Sequence, residues 1–343
     1  MVARTALSLQ AIARHVRAYR IGSLVAARAI SNRGAHTLYD VTTTQGQFTL
    51  RILEDRPRSD ARFEEVLLAR LRERDLPVPS MLEAGRRGRV LPLGPRRHLS
   101  LFLPTLGREV AVFEISAAHA TQVGEFLASM HLAVRGLRRR RRNGKAPARA
   151  RRVLEASLAA TPDEVQRRDL HLCLEDLGDR EWEDDLPTGA IHGHLGVDKA
   201  RFQNGRLCGA LGFDGACTGA LAYDLAAAVV DWAFLHDRLV IAHAIALVAG
   251  YERLRPLRAR EREALYALCC FVAAQRAVRW HYEHEVRNRV GTTTSYRDYR
   301  HFVARLLSLR QLGETAFTRA AFGVRRCGLA RAQPGSCDLP SAW

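Results

Sequence analysis

Ile191-His-Gly-His-Leu-Gly-Val-Asp-Lys-Ala-Arg-Phe202, with the return stretch Leu211-Gly-Phe-Asp214 shortly after it, decides how this 343-residue chain is read. A strand is read around 189 to 192, and Gly193 permits a tight turn. Short β-type stretches follow at 199 to 202 and 206 to 212, the second ending in Phe-Asp. The spacing predicts strand, turn, short strand and return strand. His192, His194, Asp198, Lys199 and Asp214 are set around that one turn.

The chain changes character on either side of it. Toward the N-terminus, residues 7 to 19 read as a short amphipathic helix. Val25–Ile30, Thr37–Thr43 and Phe48–Leu53 read as strands, with turns at Ser31–Gly34 and Gln45-Gly46. A helix over 59 to 74, with Ser59 as a plausible N-cap, is ended by Pro77 and Pro79. Two more strands lie near Val90-Leu91 and Leu99–Leu103. From Ser116 long helices dominate: 116 to 134, 150 to 176, 220 to 236, 238 to 255, 259 to 289 and 296 to 313. Arg135–Arg152 reads as a mobile, solvated basic linker. The stretch from Gly323 onward reads as a disordered tail. This predicts an α+β, two-lobed plan: residues 1–104 as a small β-rich lobe, 105–322 as a larger helical lobe and 323–343 as the tail.

Composition narrows the function classes. A hydrophobic content of 47% supports a large buried core. No apolar run of transmembrane length and no signal-peptide pattern is read. The seven cysteines are scattered without zinc spacing, which favours reduced thiols and a cytoplasmic home. The net charge is +17, and only two of the 53 Lys and Arg residues are Lys. The charge is dispersed except at Arg138–Arg142, so nucleic acid is an unlikely partner. That Arg run reads as a solvated loop, with docking of an acidic partner as the alternative.

Beyond the architecture, several short pieces recur in order along roughly residues 8 to 315. They are Tyr39-Asp-Val-Thr-Thr-Thr-Gln-Gly46, Leu76-Pro-Val-Pro79, Met130-His131, Asp214-Gly-Ala-Cys-Thr-Gly219, Ala222-Tyr-Asp-Leu-Ala226 and Asp231-Trp232. Together these resemble the aminoglycoside phosphotransferase and choline-kinase superfamily, which has the two-lobed protein-kinase-like fold. Within it the chain most resembles bacterial homoserine kinase. The resemblance implies ATP as cofactor and phosphoryl transfer to a small hydroxylated metabolite, mostly by positioning and charge stabilisation. It implies that Asn32–Thr37, including Gly34, covers the phosphates and that Arg51 stands at the usual Lys position. Arg51 would pair with Glu64 or Glu65, while Leu101–Leu103 would line the adenine slot.

The same resemblance exposes three departures. The family pattern is His-(Gly/Ala)-Asp-Leu, with Asn five residues after the Asp. Here His194 holds the base position, Lys199 the amide metal-ligand position and Gly212 the carboxylate metal-ligand position. Imidazole can act as a base; ammonium is donor-only and cannot ligate magnesium, and the alternative for Lys199 is a cofactor-binding role, neutralising a phosphate charge directly as a fixed cation in place of a metal. Magnesium is therefore doubtful. Asp198 and Asp214 are the candidate replacements; Asp214 shares the strand face of Gly212 two residues away. Three readings stay open: a degenerate fold without normal turnover, a rewired enzyme using His194, Lys199 and Asp214, and an ordinary small-molecule kinase. His192 and Asp224 read as structural braces of the turn, and Cys217, Cys269 and Cys270 as core packing. Trp280, His281, Tyr282 and His284 read as a half-buried helix face, with a substrate role as the alternative.

Overall fold

The computed structural model describes residues 5–30, 36–178, 182–287 and 298–323. The Ser31–Gly34 turn, Gly34 itself, most of the Asn32–Thr37 loop and the tail from 324 lie outside the described residues.

The small lobe forms because its β-branched and alternating stretches can pair in register. Strands β1 (Leu24–Ala29), β2 (Thr37–Thr43), β3 (Gly46–Leu53), β4 (Leu91–Gly94) and β5 (Arg97–Phe102) make one antiparallel sheet in the order β1-β2-β3-β5-β4. The β2–β3 hairpin closes at Thr43 opposite Gly46. Helix α1 (Leu9–Ala18) is capped by Ser8 Oγ, which accepts from the Ala11 N–H at 3.2 Å, and buries Ile12 and Val16. Helix α2 (Arg58–Arg72) turns Phe63, Leu67 and Leu71 inward. Its N-cap is Pro57, not Ser59: Pro57 is extended and the helix begins at Arg58, so Ser59 already lies in the first turn.

The helical lobe follows with α3 (Ala117–Ala133), α4 (Pro147–Ala160), α5 (Glu164–Leu172), α6 (Leu174–Leu177) and α7 (Trp182–Asp185). One continuous helix over 150–176 was expected. Pro162 breaks it, since the residue before a proline is driven out of helical geometry and Thr161 is extended. Asp163 then caps α5 by accepting from the Gln166 N–H. Strand β6 (Thr188–Ile191) pairs with β9 (Cys217–Ala220), and β7 (Ala200–Gln203) with β8 (Arg206–Ala210). These two small ladders hold the turn between them. Strand β9, which sequence reading missed, is what ties the return stretch back to Ile191.

Helix α8 (Leu221–Trp232) is buried along its whole length. A two-strand hairpin, β10 (Phe234–Leu235) and β11 (Arg238–Leu239), separates it from α9 (Ile241–Leu254). Its corner residues His236 and Asp237 are both left-handed, as such a two-residue turn requires. Helix α10 (Ala259–His281) runs into a π-helical turn over Tyr282–Val286, and α11 (Tyr299–Leu312) and α12 (Glu314–Phe322) complete the lobe. Helices α3 and α9 touch backbone to backbone. A Cβ on Gly124 would collide with the Leu247 carbonyl, and one on Gly250 with that of Thr121. Among the described residues no helix is long and apolar enough to cross a membrane.

Candidate active site

The turn at 192–196 is fixed before any chemistry is considered. Asp224, in the first turn of α8 and almost fully buried, accepts from the backbone N–H of His192 at 2.7 Å and of Gly193 at 2.5 Å. It also accepts from His131 Nε2 at 3.0 Å. Burial alone would raise the Asp224 carboxyl; the His131 hydrogen bond and charge outweigh it, so the group is held below the usual range. His131 Nδ1 in turn meets Tyr251 Oη at 2.7 Å, and Arg255 joins Tyr251 to the buried Glu261. His192 donates from Nε2 to the Leu211 carbonyl at 2.9 Å and packs edge-on against Phe213. Burial, then Lys199, pulls its pKa down to about 4, so it stays neutral as a strut. Trp232 Nε1 donates to the Leu195 carbonyl at 2.8 Å and closes the other side.

The three departures meet each other on this frame. Gly212 is left-handed, at φ 87° and ψ 29°. The aliphatic stem of Lys199 lies directly over it: a Cβ at 212 would stand 2.7 Å from Lys199 Cδ and 3.0 Å from Cε. Lys199 Nζ reaches on to His194 Nδ1 at 3.0 Å. An ammonium only donates, so Nδ1 accepts and the ring proton sits on Nε2, facing Asp231 Oδ2 at 3.5 Å. Burial first, then the charges of Lys199, Arg276 and Arg279, keep His194 neutral well below its ordinary pKa. Its one lone pair is thus occupied by Lys199.

The remaining predicted residues divide, and Asp214 does not share a strand face with Gly212: the strand ends at Ala210, Gly212 is left-handed and Phe213–Gly215 is a 3-10 turn. Asp214 accepts from His36 Nε2 at 2.7 Å, a contact from the end of the small-lobe loop to the large lobe. Burial would raise its carboxyl, but His36, Arg51 and Lys199 hold it well below the usual carboxylate range. Asp198 lies on the short 3-10 turn 197–199, and a Cβ on Gly196 would stand 2.9 Å from its Oδ1. Arg51 on β3 forms a two-pronged bond with Glu64 on α2, at 2.9 and 2.7 Å, and its guanidinium lies 4.7 Å from the Phe102 ring centre. Glu65 instead pairs with Arg62. Leu101 does not present a slot: it is fully buried in the small-lobe core, because both faces of β5 are covered there. Leu103, just past the strand, is 42% exposed between the lobes.

Sequence reading missed a second ring of charge. The segment 135–152 is no solvated linker. Arg141 donates to the carbonyls of Asp214 at 2.6 Å and Ala216 at 2.8 Å and pairs with Asp60 of α2 at 2.9 Å. Thr218 N–H donates to the Arg141 carbonyl, so the segment runs as a strap along β9. Lys145 Nζ donates to the Gly215 carbonyl at 2.8 Å, and a Cβ on Gly193 would run into this ammonium. Helix α4 then begins at Pro147, while Arg138, Arg139 and Arg140 remain exposed. Arg276 on α10 is paired with Asp231 in the interior. His281 is buried against Gln166 and Tyr299 and faces away from the turn.

Magnesium needs near-octahedral oxygens at about 2.0–2.1 Å. Among the described residues no group of three or more His, Cys, Asp or Glu side chains is arranged to hold a metal ion. Asp214 is engaged by His36, Gly212 offers no side-chain oxygen, and the Lys199 stem lies over it, while Asp198 stands near Lys199.

The two lobes and the strand-turn-strand junction between them make the fold of the kinase-type phosphotransferases. A profile of the phosphotransferase enzyme family matches residues 27–260, and the chain belongs to that family. It is 31% identical over 284 residues to the homoserine kinase of Hyphomonas neptunium, covering 78% of this chain and 85% of that one. It is 34% identical over 273 residues to that of Methylobacterium radiotolerans, covering 78% and 84%. Among solved structures it is similar to the amicoumacin kinase hAmiN in complex with AMP-PNP, Ca2+ and Ami, at TM-score 0.64 and 14% identity over 89% of this chain and 93% of that one. The microcompartment-associated aminopropanol kinase gives TM-score 0.59 and 18% identity over 90% and 99%. These structural likenesses show the fold.

Proposed function

We propose that this protein is a homoserine-kinase-like member of the family that has lost ordinary magnesium-dependent phosphoryl transfer and works as a nucleotide-binding, pseudokinase-like regulator. One observation carries the reading: the Lys199 stem lies on Gly212 and its ammonium caps the lone pair of His194. One side chain thereby removes both requirements of the reaction, oxygen ligands for the metal and a group able to orient or accept the acceptor's proton. The nucleotide belongs between the lobes, beside Arg51 and Leu103, and the small hydroxylated metabolite belongs at the turn. The braces around the turn are those of an intact scaffold, which supports loss of chemistry without loss of shape. A cytoplasmic setting fits the buried cysteine thiols.

The test is ADP formation from ATP with magnesium, using homoserine and a panel of small amino alcohols. The wild type is expected to show no turnover above background. The combined variant His194→Asp, Lys199→Asn, Gly212→Asp is expected to gain it. Wild-type turnover at about 1–100 s⁻¹, the ordinary kinase range, would show that the reading is wrong.

A further inference from the structure

Fifty-one of the 53 basic residues in this chain are Arg, and both lysines, Lys145 and Lys199, reach the 192–196 turn. Arg is therefore the ordinary cation here, and something at this turn favours an amine. A guanidinium is planar and broad, whereas an ammonium is a compact point charge. The Lys199 stem passes over Gly212, where a Cβ would stand 2.7 Å from its Cδ, and its compact ammonium reaches His194.

The charges add up in a specific way. Relative to the family pattern, Gly in place of Asp at 212 adds one positive unit, and Lys in place of Asn at 199 adds another. The two metal-ligand positions have changed by +2, the charge of one magnesium ion, and the structure shows the two changes in contact. Lys145 sits on the far side of the turn, and Arg279, exposed on α10, adds a charge whose field reaches Lys145, Lys199 and His194. Asp214 and Asp231 are already engaged by His36 and by Arg276, and Asp198 stands near enough to Lys199 to favour its charged form. The Lys199 ammonium and the Lys145 and Arg279 charges make this side of the turn donor-rich.

We infer that the cleft binds a nucleoside di- or triphosphate as the free anion, with the Lys199 ammonium standing where the divalent cation would bridge the phosphates. Magnesium then competes for the phosphates and weakens binding. This inference rests on the functional reading above and deepens it by naming the ionic form of the ligand.

The experiment is calorimetric titration of the full-length protein with ATP, once in EDTA and once in excess magnesium chloride. Binding is expected in EDTA and about tenfold or more weaker with magnesium. Lys199→Met keeps the stem and removes the charge; it is expected to weaken metal-free ATP about ten- to hundredfold, the worth of one charge-assisted hydrogen bond. Lys199→Asn combined with Gly212→Asp is expected to reverse the preference, so that magnesium strengthens binding. Should that pair fail to fold, the two wild-type titrations still decide. Tripolyphosphate is expected to bind metal-free but more weakly than ATP; equal binding would overturn assignment to a nucleotide. Wild-type ATP binding that requires magnesium, or no ATP binding in either buffer, would overturn the inference. If binding requires magnesium and turnover stays absent, the functional reading survives; no ATP binding in either buffer would overturn that reading as well. Magnesium-dependent turnover would overturn the functional reading instead.

Discussion

The contact between Lys199 and Gly212 makes a quantitative prediction about stability. Gly212 is left-handed, so any residue with a Cβ there meets a backbone cost of about 1–2 kcal/mol whatever its neighbours. Gly212→Ala adds a second cost in the wild-type background. The new methyl would lie 2.7 Å from Lys199 Cδ, 3.0 Å from Cε and 3.4 Å from Cγ. These atoms are mid-stem, and the head is tied to His194 at 3.0 Å. The stem must therefore swing away and give up that bond, which for a charged donor is worth about 1.5–3 kcal/mol before solvent takes part of it back. Gly212→Ala should cost about 2–4 kcal/mol with Lys199 present and about 1–2 kcal/mol with Lys199→Ala. The coupling in a double-mutant cycle is then roughly 1–2 kcal/mol. Urea unfolding followed by tryptophan fluorescence, with slopes compared across the four proteins, measures it. Costs that add to within about 0.5 kcal/mol would mean that the lysine stem does not lie on the glycine, and the account of the lost metal site would fall with it.

Asp224→Ala strands two backbone N–H groups and His131 in the interior, so unfolding free energy should drop by about 3–5 kcal/mol; a loss below about 1 kcal/mol would contradict the bracing role. Because the Asp224 carboxyl is depressed in the folded state, its contribution is present above the unfolded value of about 3.9 and lost as pH falls through the folded value. The gap between wild type and Asp224→Ala should therefore be flat above about pH 5 and narrow only in acid; a gap that closes near neutrality would point to a histidine instead. Arg141→Ala should release the strap, seen as faster amide exchange at Thr218, whose N–H donates to the Arg141 carbonyl; unchanged exchange would show that the strap holds without its guanidinium. Cys173 and Cys270 are pushed up to about 12 by burial and Cys269 is raised well above its ordinary value by the same cause, so peptide mapping should find all three unlabelled by thiol reagents until the protein unfolds, with labelling of the native state as the contrary result.

The order of short motifs made the two-lobed architecture readable, because each motif marks a place where backbone geometry leaves few choices. Pro77 and Pro79, the Gly193 turn and the Tyr223-Asp224 pair are of this kind. Periodicity placed the long helices and missed only local events, such as the break at Pro162 and the hairpin at His236-Asp237. The site was harder. A run such as Arg138–Arg142 looks solvated by composition, and four of its five members are exposed; nothing in the run distinguishes Arg141, which the fold draws in between α2 and β9. Leu101 and Leu103 share a strand parity, so the pattern could not tell that one is sealed in the core and the other open. Two signals were present and unused. Arg276 sits in a run of apolar residues from Phe271 to Val278, and a buried cation requires a buried partner, which is Asp231. Lysine is also so rare in this chain that each one marks a place where arginine does not serve.

That rarity bears on whether the turn has decayed or been rebuilt. Decay removes side chains independently, and the sites they leave fill with water or with whatever packs there. Here the loss at 212 and the gain at 199 fit each other in three ways at once. In volume, the lysine stem occupies what a carboxylate at 212 would need. In charge, the two positions have changed by +2 relative to an Asp and Asn pair, the charge of the divalent ion such a pair would hold. In hydrogen bonding, the ammonium ends on the imidazole at the third changed position, which an aspartate there would have held as an ion pair incompatible with an open base. The surrounding braces from Asp224, His131 and Trp232 are complete, so the turn keeps its shape without a metal. A turn braced on both sides around an ammonium has kept its frame while exchanging the side chains within it, which is the pattern of rebuilding more than of decay.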